Sequence, residues 1–179
     1  LVGSEMCIRD RMKTAKRLLA LALAGVMALA LLTGCSDSSS KAKQVEECFR
    51  SLMKTRQNKD YQKDETLDKK LEAIAQKFQP DWLDERGELT REAHDTIKND
   101  LADYLATGRV WLWVGEVKPG QSALTQAESM KRCGEVEVDI MRPGTLLRAI
   151  AFTMTDKKSD GRRYYLVLET YATIKTPQN

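Results

Sequence analysis

Residues 135–174 read EVEVDIMRPGTLLRAIAFTMTDKKSDGRRYYLVLETYATI. The opening seven alternate strictly, with Val136, Val138 and Ile140 set against Glu135, Glu137 and Asp139. Period-two alternation of this kind marks a strand with one buried face. Pro143-Gly144 predicts a tight turn into a second strand, Leu146 to Asp156, and Ser159-Asp160-Gly161 a turn into a third, Tyr164 to Ile174. These three strands predict an antiparallel meander. Working backward, Arg109 to Val117 (RVWLWVGEV) adds a strand rich in β-branched and aromatic residues, ended by Pro119-Gly120. Ser122 to Cys133 reads as a short helix or an ordered loop.

Ahead of the strands the period lengthens to that of a helix. In Lys41 to Gln57, Val45, Cys48, Phe49, Leu52 and Met53 share one face. Asp64 is placed to cap a second helix with the stripe Leu67, Leu71, Ile74 and Phe78, stopped by Pro80. Thr90 is placed to cap a third, with Ala93, Ile97, Leu101, Tyr104 and Leu105 inward and Gly108 past its end. The prediction is an α+β domain, its amino-terminal helices packed on one face of a curved antiparallel sheet of about four strands.

This order of elements over residues 42–174, together with the opening KAKQVEECFRSLM, resembles the NTF2-like (cone-shaped α+β) domains found in many bacterial lipoproteins. A cystatin-like fold, one helix wrapped by a meander, is the alternative. The two turns also set an alignment of faces. A two-residue hairpin at Pro143-Gly144 places Asp139 opposite Arg148, and a turn at Asp160-Gly161 places Phe152 opposite Glu169 and Ile150 opposite Tyr171. One face then collects Leu147, Ala149, Ala151 and Leu168 with Val136 and Val138, small and apolar, as needed under helices. The other collects Arg148, Phe152, Tyr165, Glu169 and Tyr171, and the first strand contributes Trp111 and Trp113. Aromatics with Arg are the types enriched at interface cores, so these seven residues form a candidate binding surface or subunit interface. The competing reading makes the aromatic side chains ordinary core.

The amino-terminal end carries an address. Residues 1–11 (LVGSEMCIRDR) resemble translated sequencing-adaptor read-through, a probable non-native extension that sets the start at Met12. Residues 12–34 then have the form of a signal peptide: Lys13, Lys16 and Arg17, followed by the apolar run Leu18 to Leu32. That run is shorter than the ~20 residues of a spanning helix. It ends in Leu32-Thr33-Gly34-Cys35, which resembles the bacterial lipobox. The resemblance implies a diacylglycerol on the Cys35 thiol, cleavage on its amino side, and a domain held at the cell membrane outside the cytoplasm, at the cell surface or in the periplasm. A plain transmembrane anchor is the alternative. Residues 35–41 read as lipidated cysteine and polar tether, and residues 42–179 as a single domain.

Setting aside the five basic and two acidic residues of positions 1–34 leaves 24 of each sign. A neutral domain with interspersed charge has no nucleic-acid footprint. Cys48 and Cys133 remain as a pair in a compartment that permits disulfides, and a bond between them is expected. No zinc spacing, phosphate loop or G-x-S-x-G nucleophile motif occurs, and neither a metal nor a cofactor is expected. Glu135, Glu137 and Asp139 lie about 7 Å apart along their strand, too far to chelate one ion. The expected function is therefore a tethered, non-catalytic binding module for a small ligand, a cell-wall component or a protein partner, a second copy in a homodimer included. The alternative is an enzyme with an NTF2-like cavity, using the single histidine, His94, with Asp95 or Glu169.

Overall fold

A computed structural model describes residues 38–58, 60–139 and 144–175. Helix α1 runs Ser38–Gln57, α2 Glu65–Lys77 and α3 Arg91–Leu101. Strand β1 spans Leu105–Glu116, and the short helix α4 spans Ala123–Ser129. Strands β2 Lys131–Asp139, β3 Gly144–Met154 and β4 Tyr164–Lys175 complete the domain. It is an α+β fold of four helices and a four-stranded antiparallel sheet. The lipobox, the signal peptide and the residues of the Pro143 turn before Gly144 lie outside the described residues.

The helix ends follow their local chemistry. Asp64 accepts a hydrogen bond from the Leu67 amide at 2.8 Å, Thr90 one from Ala93, and Ser122 one from Thr125. At the far end of α2, the Lys158 ammonium donates to the carbonyls of Ala75 and Gln76, at 2.7 and 3.2 Å. A cation there meets both the orphan carbonyls and the negative end of the helix dipole. Strand β2 begins at Lys131, four residues before the expected Glu135, and two helix boundaries also differ from expectation. Helix α1 begins at Ser38, inside the stretch read as tether. Helix α3 ends at Leu101, and Leu105 opens β1 instead of closing the helix. Leu105 lies four residues after Leu101 and so fits the helical stripe as well as the strand.

The sheet order is β2-β1-β4-β3. The predicted pairing of β2 with β3 is therefore replaced: they occupy opposite edges, with β1 and β4 between them. Asp139 pairs with Thr107, and Arg148 with Tyr171. The β3–β4 register also lies two residues from the expected one, with Ile150 opposite Glu169 and Phe152 opposite Val167. The turn supplies one residue of the shift, and the other comes just beyond it, where two residues, 156 and 157, face the single residue 163 between the Lys158–Arg162 and Thr155–Tyr164 pairs. Lys158 accepts from the Gly161 amide and donates to Arg162, and Gly161 takes φ +78°. That is a three-residue hairpin loop closing on a left-handed glycine, rather than a two-residue one. A shift of two preserves the side-chain alternation, so each residue keeps its expected face.

Helices cover both faces of the sheet, not one. On one side Leu67, Leu71 and Ile74 of α2 and Ile97 and Leu101 of α3 pack with Val110, Leu112, Val136, Ala149 and Leu168. On the other, Val45, Phe49 and Met53 of α1, spaced four apart, join Ala127 of α4 against Ile150, Tyr165 and Val167. Each fully buried large apolar side chain contributes about 1.5–3 kcal/mol. This two-sided packing overturns the expected disulfide. Cys48 belongs to the α1 layer and Cys133 to the opposite one, and both thiols are free. A bridge needs Cα atoms within about 7 Å, which the intervening sheet prevents.

Candidate functional site

The α1 side of the sheet is only partly covered, and a cleft of about 160 Å³ opens where α1 ends. Its lining includes Gln57, Tyr61, Trp111, Arg148, Glu169 and Tyr171. The strand residues arrive there by alternation. Trp111 pairs with Glu169 across β1–β4, Arg148 pairs with Tyr171 across β3–β4, and all four lie on one face. Gln57 is the last residue of α1. Tyr61 is held by its neighbour Gln62, which bridges the outer edge of β3: its amide donates to the Arg148 carbonyl at 3.0 Å, and its carbonyl accepts from Ile150 at 3.3 Å. Arg50 fixes α1 to the same edge, donating to the Ile150 carbonyl and pairing with Glu46.

Glu169 is the centre of the cleft. It is only 3% exposed, yet its carboxylate is well solvated by protein. Oε1 accepts from the Gln57 amide at 2.9 Å and lies 2.7 Å from the Tyr61 hydroxyl, while Oε2 accepts from the Trp113 indole at 3.0 Å. The Tyr61 hydroxyl also lies 2.7 Å from the Gln57 carbonyl oxygen, so its single proton has two acceptors within reach. Burial, followed by the bond to Glu169, pushes Tyr61 above the ordinary tyrosine range and keeps it a donor. These are all neutral donors. The guanidinium of Arg148 lies over the Tyr171 ring, 5.1 Å from its centroid, and its Nε is buried without a hydrogen-bond partner. The Trp111 indole donates to Glu135 at 2.7 Å, and Arg109 pairs with Glu135 and Glu137 alongside. The acidic row on β2 is thus answered by Arg109.

The seven residues of the expected surface separate into two groups. Trp111, Arg148, Glu169 and Tyr171 come together at the cleft. Trp113 stands behind, edge-on to Phe49 at 5.4 Å. Phe152 packs at 5.5 Å from Tyr165, which is 1% exposed, so Tyr165 is core and Phe152 part of its packing. Gln57 and Tyr61 were not singled out by the sequence pattern. No strand alternation or helical stripe marks them, and only the Gln62 bridge brings Tyr61 in.

His94 does not join this site. It belongs to α3, which packs on the opposite face of the sheet, and lies in a separate groove of about 320 Å³ with Glu88, Arg132 and Cys133. Its Nδ1 is 3.3 Å from Asp95, and the pair is open to solvent. The alternative pairing of His94 with Glu169 is not formed. No serine, cysteine or histidine lines the Glu169 cleft, and no group of three candidate metal ligands occurs among the described residues. The cleft offers one carboxylate, one guanidinium, the Tyr61 hydroxyl and the Gln57 amide between aromatic walls. Compared with known proteins, the chain matches no family model, no curated protein and no solved structure, so its function is read from this site.

Proposed function

We propose that the chain is a membrane-anchored, extracytoplasmic bacterial lipoprotein whose domain binds a small ligand without catalysis. The observation that carries the binding role is the cleft in which Trp111, Tyr171 and Arg148 surround the buried carboxylate of Glu169. A few convergent polar groups between aromatic walls are the usual composition of a ligand site. Holding a carboxylate at 3% exposure is costly unless it is fully hydrogen-bonded, and three neutral donors are spent on doing so. The anchor is supported by the stretch Leu32-Thr33-Gly34-Cys35 after a short apolar run. The α+β order of elements is also compatible with an NTF2-like domain.

The test is a thermal-shift screen of the full chain in detergent against amino acids, sugars, peptidoglycan fragments and nucleotides. A ligand at a hundredfold excess over its dissociation constant adds roughly 2.7 kcal/mol to folded-state stability. The expected result is a raised midpoint for at least one compound class, lost in Trp111→Ala. A shift that survives that substitution, or none for any class, overturns the cleft as the site.

A further inference from the structure

We infer that the ligand is a small zwitterion, with an ammonium group facing Glu169 and a carboxylate facing Arg148. This deepens the binding role above and rests on it. The cleft contains one group of each charge, the buried Glu169 and the partly buried Arg148, so a ligand that answers both leaves neither charge uncompensated. Glu169 accepts three hydrogen bonds, and an ionised carboxylate has about four lone-pair sites, which leaves about one acceptor position. Among the described residues no Lys or Arg forms an ion pair with Glu169: its bonded partners are Gln57, Tyr61 and Trp113. A ligand ammonium supplies the missing cation. Arg148 presents the converse deficit, since its Nε is buried and has no acceptor. Its two terminal guanidinium nitrogens, which unlike Nε are not closed off from the cleft, form the two-pronged donor that matches a carboxylate. The Tyr171 ring beneath the guanidinium limits its orientations, so less freedom is lost when a carboxylate docks.

Size narrows the class. Ligand sites for drug-sized molecules run to about 300–1,000 Å³. At about 160 Å³, this cleft lies below that range, which favours a ligand smaller than a drug-sized molecule. A free amino acid with a short side chain fits, and a hexose or nucleotide does not enter whole. The Trp111 wall then faces the ligand's aliphatic part.

The experiment is calorimetric titration of the full chain in detergent with alanine, propionate, ethylamine and glucose. Alanine is expected to bind at least about tenfold more tightly than propionate, which lacks the ammonium, and than ethylamine, which lacks the carboxylate. Arg148→Gln is expected to weaken alanine about tenfold and leave ethylamine unchanged, with its melting midpoint confirming the fold. The ligand series on the unmodified protein needs no variant to fold. Propionate or ethylamine matching alanine overturns the inference. Glucose binding that Trp111→Ala abolishes also overturns it, while leaving the cleft as a ligand site. Absence of binding by every probe, with no thermal shift in the wider screen, removes both readings.

Discussion

At the scale of single residues, Glu169 links the core to the cleft, and its substitution separates two effects. Glu169→Leu fills the volume but leaves the Trp113 indole and the Gln57 amide without an acceptor, since only Tyr61 can turn to another partner, the Gln57 carbonyl. An orphaned donor costs about 1–3 kcal/mol when buried and less where water reaches it, and both donors are part-buried, so the variant is expected to lose about 2 kcal/mol in urea unfolding. Trp113→Phe keeps the edge-on contact with Phe49 and removes one donor, for about 1 kcal/mol. Equal losses in the two variants would show that Glu169 is not the hub. Cys133 gives a pH test on the opposite face. Burial pushes its thiol from 9.0 up to about 11, so the folded state holds a proton that the unfolded chain releases first. Its stabilising contribution is complete below about pH 9 and lost as pH rises to about 11. Cys133→Val should flatten that part of the stability profile, and an unchanged slope would refute the assignment. The sequence made four cleft residues legible, because alternation fixes the face of each within its strand and the two-residue register shift leaves Trp111, Arg148, Glu169 and Tyr171 on a common face. It was silent on Gln57 and Tyr61, whose positions depend on where a helix end and its connection meet a strand edge.

At the scale of elements, the helical stripes and caps were readable because each depends on residues three or four apart. Strand faces were readable because their period is two. Strand neighbours were not: alternation says which face a residue takes and nothing about which strand lies beside it. The Pro143-Gly144 pair suggested a local hairpin, whereas β1 and β4 pair across more than fifty residues at the centre of the sheet. Gly108 records that central pairing. Its φ is +142°, and a Cβ there would sit 2.4 Å from the Ala172 Cα and 2.5 Å from the Tyr171 carbonyl oxygen. These are backbone atoms, which cannot move aside as a flexible side chain does. Gly108→Ala is expected to cost about 3 kcal/mol, combining backbone strain with overpacking. It should also weaken binding in the cleft, because Tyr171 and Glu169 share β4 with Ala172. Urea unfolding checks the first effect, and a Gly108→Ala variant as stable as the parent would mean that β1 and β4 do not approach this closely.

At the scale of the whole molecule, the proposed anchoring raises the question of what would hold a neutral domain at a membrane. No helix among the described residues is long and apolar enough to cross one. The chain beyond position 34 carries 24 basic and 24 acidic residues, so attraction to anionic lipid contributes little. Under the proposed anchoring, the free energy comes from acyl chains, at about 0.8 kcal/mol per buried methylene, with two or three chains giving stable attachment. Salt weakens charge-driven attachment and leaves lipid-driven attachment in place, because screening acts on the first alone. Membranes from cells producing the full chain should therefore retain the protein through a high-salt wash and release it in detergent. Cells fed a labelled fatty acid should incorporate the label, and the mature protein should begin at Cys35. In Cys35→Ala the label should vanish and the uncleaved precursor accumulate, since both attachment and cleavage need the thiol. Label persisting in that variant would place the lipid elsewhere. Salt release of the unmodified protein would make it a peripheral protein and remove the tether from the proposed function, while leaving the Glu169 cleft to be judged by its own titrations.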